Sequence, residues 1–273
     1  MNGNIAFVGG GNMARALIGG LIANGFPRAS LAVAEILADS REGLRRDFGI
    51  KVSADPADVV IAADTIVLAV KPQQMHPVAS ALRPLLSAQL IISIAAGIRS
   101  DDLTRWLGGY GRVVRVMPNT PALVRSGVSG LFAREEVTAA ERERAQAILN
   151  AVGETLWVDS DEMIDAVTAV SASGPAYVFY FIEAMRKAAL EMGFDAEIAQ
   201  RMVLGTFAGA VKLAQSSGED VGMLRERVTS KGGTTEQALL RMEADDVATH
   251  IRAAVHAACI RAAELGEAFG KAD

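Results

Sequence analysis

Two short stretches carry residue types whose spacing suits chemistry. Near the start, Val8-Gly9-Gly10-Gly11-Asn12-Met13-Ala14 places G-x-G-x-x-A between an apolar run and a helical pattern. There the first glycine makes a tight turn, the second lets backbone approach a pyrophosphate, and the small third residue lets helix pack on strand. The free N–H groups and positive dipole end of the helix then face the phosphates, so the stretch points to a dinucleotide. In the second half, Thr229–Ala238 reads TSKGGTTEQA and breaks an alanine-rich helical region. Gly232 and Gly233 bare the backbone just before a helix start, and Thr234…Gln237 fits a capping box. The N–H groups there, with the Ser230 hydroxyl, suit a small carboxylate without help from arginine. Thr235 would point a hydroxyl at the ring nitrogen of a bound imine. A plain glycine loop before an ordinary capped helix fits the same residues equally well.

Further residues fall where such a cofactor would lie. The second apolar run, LAVAE, ends in Glu35, where dinucleotide-binding domains place an acid on the adenosine ribose hydroxyls. Glu35 would repel the extra phosphate of NADP(H) and so leans towards NAD(H). A solvated loop carboxylate is an equal reading, and Arg41 is near enough in sequence to reach a phosphate, so the preference stays open. Ala69-Val70-Lys71-Pro72 and Ala95-Ala96-Gly97 also follow apolar runs, at the strand edge where open α/β sheets bind ligands. Taken alone, each reads as ordinary loop chemistry at least as well.

The chemistry is narrowed by what is missing. A nicotinamide carries the hydride, and the protein supplies position and electrostatics. Oxidising an alcohol usually needs a general base as well. His76, His250 and His256 are scattered, and no Cys/His cluster suggests a metal. Hydroxy-acid dehydrogenases of related organisation place a lysine early in the second half, but Ser171–Val178 has none before Lys187. A C=N bond asks for less, because the imine nitrogen is basic enough to be protonated or hydrogen-bonded by a hydroxyl. A non-catalytic dinucleotide-binding regulator is the reading from a different class.

The elements that position these residues come in two grammars. Up to about residue 160, NIAFVGG, LAVAE, TIVLAV, QLIISIAAG and RVVRVMP are short, Val- and Ile-rich runs separated by helical patterns, which predicts βαβ units and a parallel sheet. SGLFA and TLWVD extend the sheet or cap its edge. From Asp161 onward every segment is helical by periodicity, with Gly at several ends and Asp or Thr at several starts. The expectation is a Rossmann-type α/β domain over 1–160 and an all-α substrate-binding and dimerisation domain over 161–273.

The totals agree. The 273 residues are 51% hydrophobic and only 5% aromatic, so the core is small and aliphatic, and the net charge of −5 argues against a nucleic-acid partner. The single cysteine, Cys259, cannot form an internal disulfide and is expected to be a buried, inert thiol. The opening MNGNIAFVGGG has no basic signal region, and the most apolar stretch, 166–182, is too short to span a membrane. A cytoplasmic protein is expected.

VGGGNM, AVKP, SIAAG, RVMPNTP, SASGPAY and SKGGTT, in this order, resemble the pyrroline-5-carboxylate reductase family, and the resemblance runs through essentially the whole chain. It implies reduction of 1-pyrroline-5-carboxylate to L-proline with NADPH or NADH. Carried over, the dinucleotide lies on Val8–Met13 and Ala69–Pro72, with Ala95, Ala96 and Gly97 near the nicotinamide. The substrate carboxylate lies on Ser230, Gly233 and Thr234, Thr235 meets the imine nitrogen, and Asn119 lies at the active-site edge. Three departures stand out: Ala172 replaces a usual glycine, Lys231 a frequent proline, and AEILADSR lacks the residues that receive the NADP phosphate. The family also implies a homodimer, with dimers able to form a decamer of five, and a site where one subunit's Rossmann half meets the other's helices.

Overall fold

The computed structural model describes residues 3–271. Eight strands form one sheet: β1 Ile5–Val8, β2 Leu31–Ala34, β3 Lys51–Ser53, β4 Thr65–Leu68, β5 Leu90–Ser93, β6 Val113–Met117, β7 Gly127–Ala133 and β8 Gly153–Trp157. Their spatial order is β3-β2-β1-β4-β5-β6-β7-β8, and every neighbouring pair is parallel except β6 with β7. The first six therefore have the doubly wound order in which the chain reverses direction across the sheet between β1 and β4. SGLFA extends the sheet as an antiparallel strand. The three-residue β3 was not anticipated; Lys51 is exposed, and the run is too short to show a period.

Burial on both faces explains the near-continuous apolar strands. In β1, Ile5 and Phe7 enter one core with Leu17 and Leu21 of the helix Asn12–Ala23. Ala6 and Val8 enter a second core with Met75, Leu82, Leu103 and Trp106. Successive strand side chains point to opposite faces, so a sheet covered on both sides needs apolar residues at every position.

The chain forms two compact units. The first runs to Ser173 and resumes at Ala257; the second is Gly174–His256. The change of grammar at 160 is therefore not where the packing divides. Residues 161–173 fold with the sheet because Asp161 and Asp165 are ion-paired to Arg115 in the middle of β6, at 2.7 and 3.2 Å. The end of the last helix does so through Phe269 in the second core and an Arg105 bond to the Gly270 carbonyl of 2.7 Å.

The second unit consists of the helices Gly174–Glu191, Ala196–Ser217, Val221–Arg227 and Thr234–Ala244 with the first part of Val247–Gly270. Asp195 and Asp220 cap two of them by accepting from the N–H groups of Ile198 and Gly222, and Gly218 ends one in the left-handed region. The long helical run expected from 165 onward is interrupted. Thr168–Ala172 is a π-helical turn, closed by Ser173 N–H donating to the Thr168 carbonyl at 2.9 Å. Pro175 has no N–H to give, and the wider turn fits the chain around it before Gly174–Glu191 begins. Cys259 is a free thiol that is partly exposed, not buried as expected. Among the described residues no helix is long and apolar enough to cross a membrane.

Candidate active site

Four loops meet at one edge of the sheet in the first unit. β1 leads into Gly9–Gly11, β2 into Glu35, β4 into Ala69–Pro72 and β5 into Ile94–Gly97, all at C-terminal strand ends around the β1/β4 reversal. The backbone ties them together. Gly9 N–H donates to the Ala34 carbonyl, and Ala69 N–H to the Val8 carbonyl, both at 2.8 Å. Gly9 has a φ of +100°, and a Cβ on it would come within 2.7 Å of the Ala69 carbonyl oxygen. Only glycine fits there.

The cradle for a pyrophosphate is present. Helix Asn12–Ala23 has Gly11 as its N-cap, with no side-chain cap and no acid in its first turn. Gly11 has open space where a Cβ would be, Gly11 and Asn12 are exposed, and Met13 is half-buried. Backbone donors and the positive helix end therefore face an accessible edge, and within the loop the Gly10 N–H is taken by the Glu35 carboxylate at 2.8 Å. Val8 and Gly10 are buried beneath it, Val70 and Pro72 are half-buried, and Lys71 is exposed. In the β5 loop Ala95 is buried and Ala96 exposed, and Gly97 (φ +73°) has the Phe269 ring 3.0 Å from where its Cβ would be. The residues present fit a dinucleotide.

The second unit brings Ser230, Gly233, Thr234 and Thr235 to the start of the helix Thr234–Ala244. The Thr234…Gln237 capping box does not form. The N-cap is Gly233, which has no side chain, and Thr234 is already the first helical residue. Glu236 instead turns its carboxylate back to accept from Gly232 N–H at 2.7 Å. No N-cap side chain occupies the first-turn N–H groups, while the Glu236 carboxylate is turned onto the loop before them. Ser230 and Thr234 are exposed and Thr235 is half-buried. Asn119 is otherwise engaged: its amide donates to the Ser171 carbonyl and hydroxyl, each at 3.2 Å, and its oxygen accepts from Val128 N–H at 2.8 Å. It fastens β7 to the π-helical turn.

One buried ionic cluster lies outside every sequence motif. Arg115, 2% exposed, pairs with Asp161 and Asp165, and Arg99 donates to Asp165 at 2.8 Å. Asp161 also accepts from the Ser100 N–H and hydroxyl at 2.8 and 3.0 Å. The signal was available: an arginine amid Val-Val and Val-Met in a buried strand demands a partner, and Asp161 and Asp165 are one helical turn apart. A cavity of about 530 Å³ nearby is lined by Asp101, Arg134, Trp157 and Glu162 among others, and shares no residue with either candidate half-site. Its acidic lining does not suit an anionic coenzyme. Among the described residues no three His, Cys, Asp or Glu side chains gather as a metal site.

Known proteins match this arrangement from end to end. Residues 161–265 match the family model described as pyrroline-5-carboxylate reductase dimerisation, and 4–97 match one described as NADP oxidoreductase coenzyme F420-dependent. The pyrroline-5-carboxylate reductase of Pseudomonas aeruginosa is 48% identical over 268 residues, covering 98% of each chain. The chain belongs to the pyrroline-5-carboxylate reductase family. Another member, from Haemophilus influenzae, is 41% identical over 97% of this chain and 98% of its own. The solved pyrroline-5-carboxylate reductase of Coxiella burnetii superposes with a TM-score of 0.93 at 40% identity, over 97% of this chain and 99% of that one. The Plasmodium falciparum structure, which has NADP bound, does so at 0.87 and 28% identity, over 97% and 98%. A nicotinamide dinucleotide, a small-molecule substrate and self-association through the helical part follow for this member of the reductase family, with the coenzyme preference open.

Proposed function

We propose that this protein reduces 1-pyrroline-5-carboxylate to L-proline with NAD(P)H, the last step of proline biosynthesis. When bound, the reduced nicotinamide supplies the hydride. The imine carbon accepts it, the C=N π pair moves to nitrogen, and the nitrogen, carrying one proton from solvent, leaves as the secondary amine. No strong enzymic acid is needed, which suits a site without histidine. The observation that carries this reading is the pair of uncapped helix starts, at Asn12 and at Thr234, each opened by glycine. One suits a pyrophosphate and the other a small carboxylate.

In this reading Val8–Met13 and Ala69–Pro72 hold the dinucleotide, Glu35 takes the adenosine ribose, and Ala95, Ala96 and Gly97 border the nicotinamide. Ser230, Gly233 and Thr234 hold the substrate carboxylate, and the Thr235 hydroxyl orients the imine nitrogen. The protein acts in the cytoplasm, without nucleic acid, with the coenzyme bound within 1–160 and substrate binding and dimerisation carried by 161–273, of which 161–173 and the chain from Ala257 pack with the sheet. Its homodimers gather as a decamer of five. Coenzyme absorbance followed with 1-pyrroline-5-carboxylate tests the activity, and Thr235→Ala is expected to lower kcat/KM by about 10²-fold if its hydroxyl positions the ring. Equal turnover by the variant removes Thr235 from the mechanism; no turnover by the parent with either coenzyme removes the activity.

A further inference from the structure

Glu35 is held more firmly than a loop carboxylate needs to be. Its Oε2 accepts from Gly10 N–H at 2.8 Å, inside the glycine loop, and its Oε1 accepts from Leu37 N–H at 2.9 Å. Its own N–H donates to the Ser53 carbonyl at 2.9 Å. Each carboxylate oxygen retains a lone pair for another donor, and the side chain has no rotamer left to lose on binding.

Three arginines close to it in the sequence are each tied to the protein through at least one nitrogen. Arg41, the obvious receptor for a phosphate, donates to the Glu35 and Ile36 carbonyls at 3.0 and 2.7 Å. Arg15 is on Asp47 at 2.9 Å and the Ser40 carbonyl at 3.3 Å, and Arg45 is on the Val52 carbonyl at 2.7 Å. We infer that Glu35 makes this enzyme prefer NADH over NADPH, with its fixed carboxylate accepting the adenosine ribose hydroxyls and repelling a 2′-phosphate. The inference rests on the dinucleotide reading of the glycine loop but not on the identity of the substrate. A phosphate brought against the carboxylate meets two like charges a few ångströms apart in a partly desolvated site.

Direct binding tests it without turnover. The full-length protein is titrated with NADH and with NADPH by calorimetry, as parent, Glu35→Ser and Glu35→Gln. The parent is expected to bind NADH at least about tenfold more tightly, which is about 1.4 kcal/mol. Both variants should narrow or reverse that ratio by about tenfold or more. Glu35→Gln keeps the shape and one acceptor for the loop N–H groups, so it gives the answer if Glu35→Ser does not fold. A parent that binds NADPH as tightly as NADH, variants that leave the ratio unchanged, or a parent that binds neither coenzyme would each overturn the inference. Absence of imine reduction with the NADH preference intact would overturn only the proposed reaction.

Discussion

Asp165 shows how one carboxylate can serve two elements. It is 5% exposed in its side chain and receives Arg99, four residues after Ala95, and Arg115 from the sheet. Replacing it by Asn removes the charge that balances two guanidinium groups, one of them fully buried. Breaking a buried pair in this way costs about 3 kcal/mol, so Asp165→Asn should lower the urea midpoint clearly without changing the slope of the transition. A loss within about 0.5 kcal/mol, the range of ordinary surface changes, would mean that Asp161 alone satisfies Arg115. The residue scale also shows what the sequence could convey. The glycine spacing at 9–11 was legible because it encodes backbone geometry directly. The capping box was not, because a helix starting at Thr234 and one starting at Thr235 differ by a single residue that periodicity does not resolve. Asn119 illustrates the same limit: its three partners come from residues 128 and 171, and nothing local announces them.

At the scale of elements, two helix starts make a useful contrast. Helix Ala139–Leu149 has a complete capping box, with Thr138 and Glu141 satisfying each other's N–H groups. Helix Thr234–Ala244 has none. Stability is served at the first and left unserved at the second, where a ligand is proposed. Thr138→Ala should therefore cost about 1 kcal/mol, read as a lower thermal midpoint. Glu141 adds a pH dependence of known sign. Burial pushes its carboxyl up, but bonds from Thr138 and the Arg112 guanidinium outweigh this and hold it below the ordinary glutamate value. A depressed folded-state pKa gives stability that is present above the unfolded value and lost as pH falls through the folded one. Glu141→Gln, which keeps the cap, should flatten the acid limb of the stability profile between those two values; an unchanged limb would assign the acid sensitivity to other carboxylates. The strands and their parallel sheet were legible at this scale from Val- and Ile-rich runs, whereas the strand order, β3 and the π-helical turn depend on tertiary pairing.

At the scale of the molecule, the two units differ in how well they bury themselves. The first closes its sheet between two apolar cores. In the second, Ala189, Ala199 and Val203 are the buried hydrophobic residues, while Phe179, Tyr180, Met192, Val211 and Met223 are each at least half exposed. A helical unit with so small a core cannot balance the conformational entropy of its own chain. Its apolar surface must be covered, and the dimerisation model matched on 161–265 identifies the cover as a second copy. Folding of this unit and association should then be one event, as in obligate homodimers whose interfaces resemble a divided core. Two consequences can be measured. The thermal midpoint of the parent should rise with protein concentration, and sedimentation should show no monomer at micromolar concentration. A charge placed on the exposed face, Phe179→Glu combined with Val211→Glu, should release monomers, lower the midpoint and weaken proline binding while leaving the glycine-loop half able to bind coenzyme. A parent that sediments as a stable monomer with a concentration-independent midpoint would contradict the coupling, because the open apolar face would then have to be stable in water on its own.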